Sequence, residues 1–183
     1  PKLTTRNSVR AVKRAQKLKV RVTAEVCAHH LAFTDEVVRR AYDTNFKVFP
    51  PFRSANDIAW LKRGLKEGVI SCIASGHHPV APQEKELEFG RAPFGAVGLE
   101  TALAVVITNL VNSGDLSLID ALAKLTVNPA AVLRLNHKKG AISVGLDGDL
   151  CLFDQKAQWE VTPQTLTSRT KNSPFLGMQL NGK

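Results

Sequence analysis

The chain has 183 residues, 44% of them hydrophobic and 22% charged, which are the proportions of an ordinary globular protein and exclude disordered and collagen-like classes. Its most apolar stretch, Thr101 to Val111, carries Thr and Asn and falls well short of the roughly 20 residues of a membrane span, so no transmembrane helix is predicted. The net charge of +9 is local: eight of the 25 basic residues, Lys2, Arg6, Arg10, Lys13, Arg14, Lys17, Lys19 and Arg21, precede residue 22 with no acid among them, leaving 17 against all 16 acids.

That basic segment carries Val9, Val12 and Ala15 at three-residue steps behind Thr4 and Thr5, the pattern of a capped amphipathic helix running to about Leu18. Val20 to Val26 alternates and predicts a strand, with His29 and His30 just beyond it. Thr34-Asp35-Glu36 opens a short helix. Ser54 caps a helix running to about Lys66, closed by Gly68, and Val69 to Ser75 predicts a second strand that ends on Gly76, His77, His78 and Pro79.

A polar loop follows to Gly90, then a buried helix over Gly98 to Val111 and two shorter ones over Ser117–Thr126 and Pro129–Leu135. From Gly140 the sequence turns rich in Gly and Asp, with β-like runs at Asp149–Phe153 and Trp159–Val161. The alternation of strand and helix predicts an α/β fold of parallel units, whose ligand sites lie at the C-terminal ends of strands, where both His pairs fall. A (β/α)8 barrel takes about 250 residues, so residues 1–139 supply half of one and 140–183 a small β module. The opening Pro-Lys-Leu, without Met, is read as the start of a fragment.

Cys27, Cys72 and Cys151 are odd in number and include no CxxC pair, which argues against disulfides and zinc knuckles and for a reducing, cytoplasmic setting. The basic face has no aromatic interleaving or RNA-binding motif, so nucleic acid is not the expected partner. Glu25 and Glu100 are read as structural carboxylates, and Arg53, Pro93, Phe94 and Gly95 as loop-packing residues. Successive strand residues point to opposite faces, so His77 and His78 cannot share one site without a turn.

Several stretches carry a family resemblance: Val22-Thr-Ala-Glu-Val-Cys-Ala-His-His-Leu31, Tyr42-Asp-Thr-Asn-Phe-Lys-Val-Phe-Pro-Pro-Phe-Arg53, Ala92-Pro-Phe-Gly-Ala-Val-Gly-Leu-Glu-Thr-Ala102, Asn128-Pro-Ala130 and Lys139 through Asp154. Together they resemble the C-terminal half of a dihydroorotase, in the amidohydrolase superfamily. The resemblance implies the second half of a TIM-type barrel with a C-terminal β extension. In active members it also implies zinc-assisted opening and closing of a cyclic amide.

Matched position by position, the chemistry is depleted. The family's His-x-Ser-Thr aligns with Lys2-Leu3-Thr4-Thr5, which puts Lys2 at an imidazole ligand's place. His29 retains the other metal-binding His, and Gly76 stands at the catalytic, metal-binding Asp. Phe49 replaces a substrate-contacting Asn and Val80 a His that holds the substrate carboxylate; both are expected to narrow the old substrate cavity and make it apolar. The resemblance then implies a pseudoenzyme of pyrimidine biosynthesis without a cofactor, like the inactive chain that supports aspartate carbamoyltransferase. Its other partner is the N-terminal half of its own barrel. The alternative is an active zinc enzyme drawing its remaining ligands from that half.

Overall fold

The computed structural model describes residues 1–183, and its regular elements run in chain order as α1 (Arg6–Lys17), β1 (Glu25–Cys27), α2 (Glu36–Ala41), α3 (Ala55–Lys66), β2 (Cys72–Ala74), α4 (Pro82–Lys85), α5 (Ala102–Val106), α6 (Leu118–Leu125), α7 (Val127–Val132), β3 (Gln158–Glu160) and β4 (Gln179–Asn181). β1 and β2 pair in parallel, Val26 opposite Ile73 and Cys27 opposite Ala74. Parallel bridges add Lys2 beside Glu25 and Ala96 beside His77, so four extended segments lie side by side in chain order. Each is joined to the next by helical chain on the outside, the βα pattern that the alternation predicts.

The helices form where their caps and apolar stripes place them. Thr5 and Ser8 make a reciprocal capping box at the start of α1, each side-chain oxygen accepting the other's backbone N–H at 3.2 Å. Ser54 Oγ accepts from the Asp57 amide at 3.3 Å at the start of α3, and the Asp57 carboxylate accepts the Arg6 amide at 2.7 Å, pinning α1 and α3 end to end. The two helices pack through Val9 and Gly64. A Cβ on Gly64 would lie 3.1 Å from both Val9 Cγ1 and Ile70 Cδ1, so the close approach depends on a residue without a side chain.

One apolar cluster joins these elements to the C-terminal residues: Val26, Leu61, Leu65, Ile70, Val105, Val106 and Leu110 pack with Val161, Leu166, Phe175 and Leu180. Each fully buried side chain of this kind contributes about 1.5–3 kcal/mol. The Phe33 and Phe175 rings meet with centroids 5.0 Å apart, and the Asn181 amide donates to Thr108 Oγ1 at 2.9 Å. The tail from Gln158 onward is therefore seated on the α/β part.

Several predicted elements differ. β1 is confined to Glu25–Cys27, because Lys19 enters the left-handed region (φ 61°) to close α1 and the following residues carry the chain back to the sheet. The helix expected over Gly98–Val111 starts only at Ala102 and passes into a π-helical turn over Ile107–Val111. Pro129 lies in the first turn of α7, where its missing N–H costs nothing, rather than at its start. Asp149–Phe153 forms no strand: no segment of the chain pairs with it, and Leu150 and Leu152 stand exposed. The β-run at Trp159 is real and pairs antiparallel with β4, a strand the sequence reading did not anticipate.

Candidate functional site

The C-terminal ends of β1 and β2 open into a cavity of about 530 Å³ lined in part by Lys2, Cys27, His29, Phe49, Gly76 and Phe94. Directly after β1 the chain tightens into a 3₁₀ turn, Ala28–Leu31, which carries both imidazoles inward; each is only 3% exposed. Their ring centroids are 4.3 Å apart, and Phe52 presents its ring to both, at 5.8 Å from His29 and 5.6 Å from His30. Burial pushes His29 down to about 3, with His30 and Lys2 adding to it, and pushes His30 down to about 4. Both rings are neutral near pH 7.

Gly76 has φ 64°, a conformation that side-chain-bearing residues rarely adopt. A Cβ there would collide with His29 Cε1 and stand 2.9 Å from His29 Nδ1 and 3.1 Å from Cys27 Cβ. The His29 ring thus fills the volume a side chain at position 76 would need. The left-handed turn at Gly76 admits both His77 and His78 to the cavity wall, the turn without which they could not share one site. His77 is committed locally, its Nδ1 accepting the Gly98 and Leu99 amides at 3.3 Å.

Phe49 and Val80 part company. Phe49 lines the cavity, is 70% exposed, and meets Phe94 edge-on with centroids 5.6 Å apart. Val80 is buried behind Gly95 and does not reach the cavity. The expected narrowing is therefore corrected: Phe49 makes the rim apolar, but the cavity stays open because Val80 packs into the wall. Glu100 is structural as read, accepting the Thr167 and Ser168 amides at 2.5 and 2.9 Å. Arg53 pairs through its backbone with Thr34, and its Nε is buried without a partner.

Three polar residues near the site escaped sequence reasoning. Lys47 donates to the carbonyls of Phe89 and Gly90 at 2.5 and 3.1 Å, and Lys85 to those of Thr44 and Pro93 at 2.7 and 3.1 Å; together they fasten the loops around the cavity. Nothing in a charge pattern marks a lysine as a carbonyl clamp. The third is Cys27, whose Sγ and one nitrogen from each of His29 and His30 lie within 4.8 Å of one another. Its Cys-x-His-His spacing is legible in the sequence but matches no paired-cysteine motif.

The amidohydrolase family pattern matches residues 3–183, and the chain belongs to that family. Among its relatives it is 41% identical over 180 residues to a dihydroorotase of Endomicrobium trichonymphae, covering 98% of this chain and 42% of that protein. It is 47% identical over 180 residues to a dihydroorotase of Carboxydothermus hydrogenoformans, covering 98% and 41%. The fold superposes on the L-hydantoinase (dihydropyrimidinase) of Arthrobacter aurescens with a TM-score of 0.91 at 32% identity, covering 98% of this chain and 40% of that one. The chain spans about two fifths of the length of the curated relatives it matches.

Amidohydrolases are usually metal-dependent. The Lys2 ammonium has no lone pair to offer, Gly76 has no side chain, and the His29 ring occupies the space that a side chain there would need. Of the cavity residues at the positions where the resemblance expects ligands, His29 offers a donor atom and Lys2 and Gly76 do not.

Proposed function

We propose that this chain is the C-terminal part of a dihydroorotase-like protein of pyrimidine biosynthesis in the cytoplasm, and that the half-site it carries no longer supports ring chemistry. Residues 1–139 would form the second half of a TIM-type barrel and residues 140–183 its β extension, completed by an N-terminal half. The observation that carries the reading is the contact of His29 with the place of a residue-76 side chain, beside a lysine where an imidazole is required. A general acid–base group contributes about 10²- to 10⁴-fold to a rate, so losing the aspartate alone removes most of the activity. A barrel kept without its chemistry serves best as a protein-binding surface, here for aspartate carbamoyltransferase.

The second reading is an active zinc-dependent cyclic amidohydrolase with ligands from the N-terminal half. The relatives favour this reading over the first, since those matched at 41–47% identity carry the name dihydroorotase. The Cys27, His29 and His30 donors add to it. The side chains at positions 2 and 76 weigh the other way.

The test is interconversion of dihydroorotate and carbamoyl aspartate by the full-length protein after zinc loading, with sizing chromatography beside the transferase of the same organism. No turnover with co-elution is the expected result. Turnover dependent on zinc establishes the second reading, and separate elution at low and moderate salt removes the scaffold role.

A further inference from the structure

Beneath the cavity floor lie donor atoms with no partner. His29 Nε2 and His30 Nδ1 are buried and make no hydrogen bond. An unsatisfied buried polar atom costs about 1–3 kcal/mol, so two in adjacent rings call for an explanation.

The tautomer of His30 is fixed by its surroundings. Its Nε2 lies 2.7 Å from the Pro50 carbonyl oxygen, which can only accept, so Nε2 carries the hydrogen and Nδ1 of the neutral ring is left with a bare lone pair. An imidazole whose far nitrogen donates to a backbone carbonyl is the usual arrangement for a metal ligand, because that bond fixes the ring and raises its basicity. Cys27 adds a thiol at the end of β1, with its Sγ and one nitrogen from each ring within 4.8 Å of one another.

We propose that Cys27, His29 and His30 form a site for a monovalent thiophilic metal ion of the Cu(I) class at the C-terminal end of β1. The donor set selects the ion. One thiolate and two neutral imidazoles suit a soft or borderline metal and exclude Mg²⁺ and Ca²⁺, which need oxygen ligands. Charge selects further: the single thiolate neutralises a monovalent ion, whereas a divalent one would leave excess positive charge in a buried place already facing the cations Lys2 and Arg53. Binding replaces the S–H bond by a sulfur–metal bond and releases the proton to solvent, with no change of oxidation state. Bonds of about 2.0–2.3 Å to nitrogen and sulfur set donor spacings of about 3.5–3.8 Å in a planar three-coordinate site. The group therefore closes by about 1.3 Å at most from its present spread of 4.8 Å. The site shares His29 and its neighbours with the zinc reading above, so its metal binding is measured separately from turnover.

The experiment uses the full-length polypeptide with Cys151→Ser, which removes the exposed thiol. Ag(I), as a probe that does not change oxidation state, and anaerobic Cu(I) in competition with a chromogenic chelator are titrated while the thiolate-to-metal absorption band is followed. One ion per chain is expected, lost with Cys27→Ser, weakened by about tenfold or more with His30→Gln, and unchanged with Cys72→Ser. If Cys27→Ser fails to fold, the His30→Gln titration decides alone. Binding that survives both substitutions overturns the site, and stoichiometric Zn²⁺ binding with no Cu(I) binding overturns the choice of ion.

Discussion

At the scale of single residues, the turn after β1 couples burial to protonation. His29 and His30 hold their protons far more weakly in the fold, near 3 and 4, than in the unfolded chain, near 6.5. Between those limits the unfolded state binds more protons. Their contribution is therefore complete above about pH 6.5 and is lost as pH falls toward 4 and below. The carboxylates that are held low in the fold, Asp57, Glu67, Glu100 and Asp115, add their own loss only below about pH 4.5. The interval from pH 6.5 to 4.5 thus belongs to the histidines. Urea melts of metal-stripped protein are expected to lose on the order of a few kcal/mol across it, and His30→Gln should flatten the slope there. A slope unchanged by that substitution would show that the acid sensitivity lies elsewhere.

At the scale of elements, the capped helices are the parts whose stability has a local cause. Ser54 accepts from the Asp57 amide and also donates to the Asp57 carboxylate at 2.7 Å, while that carboxylate holds the first amide of α1. Ser54→Ala is expected to cost about 1–2 kcal/mol, toward the upper end for a cap, because two helix ends depend on it. Ser117, which caps α6 through the Asp120 amide at 3.1 Å without a link to another helix, should cost less. Comparing the two denaturation midpoints checks the ranking, and equal losses would dissolve the argument for a shared joint.

The same elements explain what was legible in advance. α1, α3 and α6 were readable because Thr5, Ser54 and Ser117 announce them and a 3.6-residue stripe follows. Strands were readable only as apolar runs, since their true limits are set by a neighbour that sequence does not name: Glu25–Cys27 pairs because Cys72–Ala74 is there, and Asp149–Phe153 lacks any such neighbour. At the site, Lys2, His29, Gly76 and Phe49 do meet around one cavity. The retreat of Val80 behind Gly95 was hidden, because it depends on a backbone path with φ 145° at that glycine. Cys27 carries no paired-cysteine signal, because the groups beside it are histidines close in sequence rather than another cysteine.

At the scale of the whole molecule, one core is shared between the α/β part and the tail. Phe175 is 1% exposed and packs on Phe33, while Leu180 and Val161 are fully buried in the same cluster. Phe175→Ala is expected to destabilise by about 3–5 kcal/mol, the range for emptying an aromatic site in a packed core. If the tail were a unit of its own, calorimetry of that variant would show one transition shifted and another left in place. A shared core moves a single transition instead.

The contact between Phe33 and Phe175 also sets a clock on the ribosome. Phe33 leaves the exit tunnel about 140 residues ahead of the ring it packs against, an interval of roughly 7 to 28 s at 5–20 residues per second. Throughout that time Phe33 has Phe46 and Phe52 to pack on but lacks the ring that completes its burial. A codon change that slows translation between α6 and β4 lengthens that interval without altering a single amino acid.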